Sequence, residues 1–325
     1  MDKIAARRLF LAAALSLAAA APAMAQGAYP ARPVTLIVPA PPGGGTDLFG
    51  RQLAEIVEGE LKQKFVVENR AGGGGTLGVT QLVAAQPDGY TLAFIWNSPL
   101  TTSPHALNVL YTPERYASVM SIGFSSYVLC AQPNFPADDG KTFLAELKAN
   151  PSKYTYGNDG VGGTMQLAAE RIFAASGAKV RPVPFGGAGE TARNFLGGHV
   201  DIYGGSLPPI LAHVQAGRAK CLVLTSADDN AALPNASGLA KLGLAAEETV
   251  LWWGLIAPAR TPKPVLDRLE AAFSAAAKSD RFQQAMASQG ATLRIRGASE
   301  TAAMVRSELE ALGKVAQAVG IQRQN

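Results

Sequence analysis

Val34-Thr35-Leu36-Ile37-Val38 runs directly into Pro39-Ala40-Pro41-Pro42-Gly43-Gly44-Gly45-Thr46-Asp47, and a segment of helical period follows. This succession of strand, glycine loop and helix constrains the fold more than any other feature of the chain. The β-branched run reads as a buried strand. A helix that leaves the end of a strand returns the chain parallel to it. The segment Asp47 to Leu61 places Leu48, Leu53, Ile56, Val57 and Leu61 on one helical face. Phe65-Val66-Val67, the run Gly72 to Gly75, a helix from Leu77 to Ala85, the turn Pro87-Asp88-Gly89 and the strand Thr91 to Trp96 repeat the order. It recurs downstream as strand Lys153 to Gly157, helix Thr164 to Ser176, strand Val180 to Phe185, a helix ending near Leu196, and strand Val200 to Tyr203. Amphipathic helices over Thr261 to Ala277 and Glu300 to Val319 close the chain. The class is α/β with parallel sheets, and two similar βαβ sets predict two lobes.

Two of the glycine loops carry chemistry. Glycine lets backbone N–H groups approach a ligand closely, and a helix N-terminus favours an anion. The first loop offers Gly43, Gly44, Gly45, Thr46 and Asp47. The second, Tyr156 to Thr164, offers Gly160, Val161, Gly162, Gly163 and Thr164. Each would give N–H donors without a formal positive charge, which suits a carboxylate that must be held and then released. One such loop is as well explained by a tight turn; two in corresponding places favour binding.

Other classes fit poorly. A phosphate-binding Walker loop needs a lysine that neither loop has. Gly73-Gly74-Gly75-Thr76-Leu77-Gly78 fits a dinucleotide fingerprint, but Trp96-Asn97-Ser98 stands where an acidic residue belongs. His105, His199 and His213 show no metal-ligand spacing, and Gly204-Gly205-Ser206-Leu207-Pro208 lacks the last glycine of a nucleophile elbow. No cofactor, metal or catalytic group is expected, and the chain reads as a binder rather than an enzyme. Cys130 and Cys221 lie in strand-like runs and are expected as two buried thiols, although export would permit a disulfide.

Residues 1–25 read as an export signal: Lys3, Arg7 and Arg8, an apolar stretch from Leu9 to Ala21, and Ala23-Met24-Ala25 before Gln26. Arg7-Arg8 leaves general secretion and twin-arginine export both open. The apolar stretch is too short to span a bilayer and no later run is long enough, so the mature chain is expected to be soluble. Loss of Lys3, Arg7, Arg8 and Asp2 lowers the formal charge from +4 to +2. With no Lys/Arg-rich run either, nucleic acid is not an expected partner.

The residues also resemble a family. Tyr29-Pro30-x-Arg32-Pro33-Val34, the P-x-P-P-G-G-G-T-D loop, Val67-Glu68-Asn69-Arg70, Pro87-Asp88-Gly89-Tyr90-Thr91-Leu92, the G-x-G-G-T loop, Val183-Pro184-Phe185, Leu196-Gly197-Gly198-His199-Val200-Asp201 and Trp253-Gly254-Leu255-x-Ala257-Pro258 follow in order. Together they resemble the Bug-type periplasmic substrate-binding proteins of tripartite tricarboxylate transporters, over nearly all of residues 29–325. The resemblance implies a two-lobed periplasmic-binding-protein fold closing on ligand, with residues 27–127 and 251–325 as one lobe and 128–250 as the other. It implies a periplasmic, monomeric protein that passes a small carboxylate to membrane transporter subunits. The loop residues named above, with Asp201 at the cleft, would hold the ligand. Phe185-Gly186-Gly187 stands where Tyr-Lys-Gly is frequent, removing one anion contact. Trp96-Asn97-Ser98 stands where smaller residues are usual: strand alternation favours the core for Trp96, and if it instead reaches the cleft, an aromatic or bulky carboxylate fits and Asn97 and Ser98 could then offer polar contacts. Di- and tricarboxylates, amino acids and aromatic acids all remain open as ligands. A sensor presenting ligand to a signalling receptor is the rival reading, followed by a periplasmic enzyme acting on a carboxylate.

Overall fold

The computed structural model describes residues 29–323, so the signal-like segment 1–25 lies outside the described residues. The strands are β1 (Val34–Val38), β2 (Phe65–Asn69), β3 (Thr91–Trp96), β4 (Tyr116–Ser125), β5 (Tyr127–Ala131), β6 (Thr155–Asn158), β7 (Arg181–Pro184), β8 (Ile202–Ser206), β9 (Lys220–Leu224), β10 (Leu251–Pro258) and β11 (Thr292–Gly297). The helices are α1 (Gly45–Leu61), α2 (Thr76–Ala84), α3 (Ser98–Thr101), α4 (Ser103–Ala106), α5 (Gly140–Ala149), α6 (Thr164–Ser176), α7 (Ala188–Leu196), α8 (Pro208–Gln215), α9 (Lys263–Ala277), α10 (Asp280–Ser288) and α11 (Ala298–Ala318).

The strands form two sheets, in the orders β11-β4-β10-β3-β1-β2 and β7-β6-β8-β5-β9. The chain leaves the first sheet at Ser126 and returns through residues 225–250. As the βαβ order predicts, β1 pairs in parallel with β2 and β3, and β6 with β7 and β8. Both sheets are nevertheless mixed, because the crossings bring β5 in against β8 and β10 in against β3. Leu251 at the start of β10 lies opposite Ser125 at the end of β4, and Tyr127 at the start of β5 lies opposite Ser206 at the end of β8. The carboxyl ends of β1–β3 and of β6 and β8 therefore turn toward the crossing. In open α/β sheets, the crevice outside these strand ends is where ligands bind.

Each sheet is buried on both faces, which is why its inner strands are almost continuously apolar. Adjacent tryptophans on β10 show the alternation: Trp253 lies edge-on to Phe49 in the core that holds Leu53 and Phe273, and Trp252 belongs to the core on the other face, with Ile37, Val79 and Val305. Helix α1 buries Phe49, Leu53, Val57 and Leu61, spaced four apart. Leu48, expected on that face, is 46% exposed because the buried stripe passes through its neighbour Phe49. Trp96 is partly buried against the same core, as strand alternation directs. Helix α11 reaches across to the second sheet's layer, where Leu312 and Ala316 pack on Leu167 of α6.

The cysteines do not remain as thiols. Cys130 of β5 pairs in register with Cys221 of β9, and the two form a disulfide. Their adjacency depends on strand order, which local patterning does not reveal. No described helix is long and apolar enough to cross a membrane.

Candidate functional site

The first loop leaves β1 and enters α1 with Gly44 as N-cap, and no side chain caps the helix. The Asp47 carboxylate turns inward. It accepts from Gly43 N at 2.9 Å, from Asn69 Nδ2 at 2.8 Å and from Arg51 Nε at 3.1 Å. Burial alone would raise this carboxyl, but these bonds outweigh it and hold Asp47 below the usual range. Asn69 also donates to Ala40 O, and Trp253 Nε1 donates to Thr46 Oγ1 at 3.0 Å. The loop is thus held from beneath by side chains of α1, β2 and β10.

Those ties leave the N–H groups of Gly44, Gly45, Thr46 and Asp47 without an acceptor among the described residues. Gly43 has φ +87°, a left-handed conformation that accounts for a glycine there. Gly44 has φ −78° and ψ 165°, open to any residue. A Cβ at Gly44 would come no nearer than 3.9 Å to Pro41 O, and one at Gly45 would meet nothing within 4 Å. Glycine is accepted at the N-cap, where Gly44 stands, but Ser, Asp and Asn cap at least as well, and Gly45 in the first turn has low helix propensity. The fold does not ask for glycine at these two positions, whereas close approach of a ligand to the backbone does.

The second loop joins β6 to α6, again with a glycine, Gly163, as N-cap and no capping from that residue. Its donors are mostly spent, contrary to expectation. Gly160 N donates to Asn158 Oδ1 at 3.0 Å, Gly162 N to Gln166 Oε1 at 2.7 Å and Gly163 N to Gly160 O at 3.0 Å. Met165 N and Gln166 N, in the first turn of α6, donate to the two oxygens of Asp159 at 3.2 and 3.3 Å. Asp159 folds under Gly163 so closely that a Cβ there would collide with its carboxyl. Burial raises the Asp159 carboxyl, and the Met165 and Gln166 N–H groups only partly offset that. Val161 N and Thr164 N remain without an acceptor among the described residues.

Between the loops, Thr102 Oγ1 donates to Ser98 Oγ at 2.6 Å and lies 3.1 Å from Thr164 Oγ1. A hydroxyl chain therefore links Ser98 on the first sheet's side to Thr164 on the second. Ala106 of α4 faces Gly162. Phe185 is half-buried at the end of β7, its N–H bonded to Asn158 O beside the second loop.

Two expected site residues lie elsewhere. Asp201 Oδ2 accepts from Thr155 N and Thr155 Oγ1, both at 2.8 Å. Thr155 begins β6, whereas the loop follows its end, so Asp201 ties the amino ends of β6 and β8, away from the loop. Asn97 is fully buried: its Nδ2 donates to Val250 O at 3.1 Å and to Glu308 Oε1 at 2.9 Å. Glu308, on α11, also accepts from Thr101 Oγ1 at 2.8 Å and from Trp252 Nε1 at 2.6 Å. Sequence reading missed Glu308 and Thr102, since nothing local distinguishes them, and met Trp253 only within a family motif, without its role. Asp159 lay within the second loop, and an acid just before a helix start was the available signal.

Glu308 gives a pH prediction. Burial raises its carboxyl above the ordinary value, against the bonds from Asn97, Trp252 and Thr101. An acid whose pKa rises on folding stabilises the folded state most when protonated. That contribution is complete below the unfolded value of about 4.3 and is lost as pH rises through the folded value. The stability difference between wild type and Glu308→Gln should thus move against wild type as pH rises above the unfolded value of about 4.3. Denaturant unfolding of both proteins reads it. A constant difference would mean that Glu308 titrates alike in the folded and unfolded chain.

The family described as "tripartite tricarboxylate transporter family receptor" (TctC) matches residues 49–321. BugT of Bordetella pertussis is 30% identical over 299 residues, 90% of each chain. A solved periplasmic transporter is 31% identical, with a TM-score of 0.74, covering 91% of this chain and 99% of its own. A protein of R. palustris solved with adipate is 25% identical, with a TM-score of 0.74, covering 91% and 100%.

Proposed function

Since the chain belongs to the tripartite tricarboxylate transporter receptor family, we propose that it captures a small carboxylate in the periplasm and delivers it, unchanged, to membrane transporter subunits. The observation that carries this reading is the set of unpaired N–H groups from Gly44 to Asp47 at the start of α1, with glycine where the backbone does not need it. An anion at a helix N-terminus meets aligned donors and a favourable dipole. Thr46 and Asp47 serve through their backbone N–H groups, while their side chains hold the loop in shape. Across the cleft, Val161, Thr164, Ser98 and Phe185 complete the site.

Residues 27–127 with 251–325 form one lobe in this reading and 128–250 the other. They close by bending at the two crossings, where Glu308 binds Asn97, Thr101 and Trp252. The mature chain, cut near Ala25, acts as a monomer. The adipate bound by the R. palustris protein supports the ligand class.

A thermal-shift screen of the ligand-free mature protein tests this, using dicarboxylates, tricarboxylates, amino acids and aromatic acids. A ligand that binds the folded state alone must raise the melting temperature. At least one acid should do so and be recovered intact. No shift with any acid would overturn carboxylate capture, and turnover of a bound acid would replace it with catalysis.

A further inference from the structure

We propose that the cleft selects an acid with a single carboxylate, because the anion position of the second loop is filled by the protein's own Asp159. This rests on the carboxylate-capture reading and narrows it.

The two loops enter their helices alike, through Gly44-Gly45-Thr46 into α1 and Gly162-Gly163-Thr164 into α6. Their donors differ. At α1 the acid of the loop, Asp47, bonds backward to Gly43 and leaves the first-turn N–H groups free. At α6 the acid lies ahead of the helix and takes the N–H groups of Met165 and Gln166 itself. Gln166 and Asn158 then take those of Gly162 and Gly160. A ligand carboxylate arriving at α6 would find the Met165 and Gln166 donors already bonded to a carboxyl group, with only the Val161 and Thr164 N–H groups left at the loop.

What remains at the second loop suits an uncharged group. Asn158 is fully buried beneath the loop, and its Nδ2 has no partner among the described residues. A buried amide donor without a partner is costly and marks a place for a ligand or water. It stands next in sequence to the Asp159 carboxyl, whose oxygens keep lone pairs to accept with. A neutral donor and an acceptor on the same loop match a hydroxyl or carboxamide. Val161, 59% exposed, adds apolar surface at the same loop.

The test uses isothermal titration of the mature protein with succinate, adipate and terephthalate, each beside its own monoamide. The monoamide keeps the shape and removes one charge. Every pair that binds should favour the monoamide by about tenfold or more, the ratio for 1.4 kcal/mol. Asp159→Asn, which keeps the side-chain shape, and Asp159→Ser should bring the ratio toward one or reverse it. Wild type that prefers the diacids would overturn this selectivity and leave carboxylate capture standing. So would an unchanged ratio in a folded Asp159 variant. If neither member of any pair binds, and no other acid does, capture itself fails. Should both variants unfold, the wild-type ratio alone decides.

Discussion

Replacing Gly44 by valine is expected to weaken ligand binding severely while leaving the fold intact. The backbone at Gly44 is extended, with φ −78° and ψ 165°, which a β-branched residue adopts without strain. The nearest atom to a Cβ there is Pro41 O at 3.9 Å, so the side chain projects into free space. In the proposed site that space is the approach to the N–H groups opening α1. Losing two charge-assisted hydrogen bonds, at roughly 1.5–3 kcal/mol each, weakens binding by about a hundredfold or more. Titration of Gly44→Val with the acid that best stabilises wild type measures this, beside its melting temperature. Unchanged affinity in a folded variant would remove the first loop from the site.

Opening the Cys130–Cys221 bridge should cost the largest single amount of stability. The bond joins residues 91 apart in sequence, and both are buried on neighbouring strands of the second sheet. In the chain-entropy account, closing a loop of that length restricts the unfolded chain strongly, and losing a native bridge costs about 2–5 kcal/mol. Paired Cys→Ala replacement keeps small apolar groups at both positions, so the loss reports the cross-link and little else. Denaturant midpoints of wild type, oxidised and reduced, and of the paired variant should show it. Equal midpoints would mean that the bridge contributes nothing beyond packing.

Much of the fold was legible because its signals are local. The β-branched run at Val34–Val38, the four-residue spacing of apolar groups after Asp47 and the glycine loops all act over a few residues, and β3 falls at Thr91–Trp96 as the sequence predicts. Helix α6 likewise runs Thr164–Ser176 as predicted. The mixed character of the sheets was not legible, since the direction of β5 and β10 follows from where the chain crosses between layers. Within the candidate site, the glycines of the first loop stood out by composition, but Thr102 and Trp253 did not. Their roles depend on Thr164 and Thr46, which lie 62 and 207 residues away.

The sequence by itself determined the alternation of strand and helix, the family, and the two glycine-rich helix starts, because each is written in neighbouring residues. Only the tertiary structure decided which of those helix starts keeps its first-turn N–H groups free. A backbone N–H is free or spent according to which side chains fold back upon it, and the loops alone look alike. Asp47 reaches backward and leaves α1 open; Asp159 reaches forward and closes α6. The same dependence on distant partners tied Asp201 to Thr155 at the amino ends of their strands, tied Asn97 to Glu308 211 residues away, and joined Cys130 to Cys221. Such pairings form only when the packed layers bring remote segments together, and short-range sequence patterns carry no record of them.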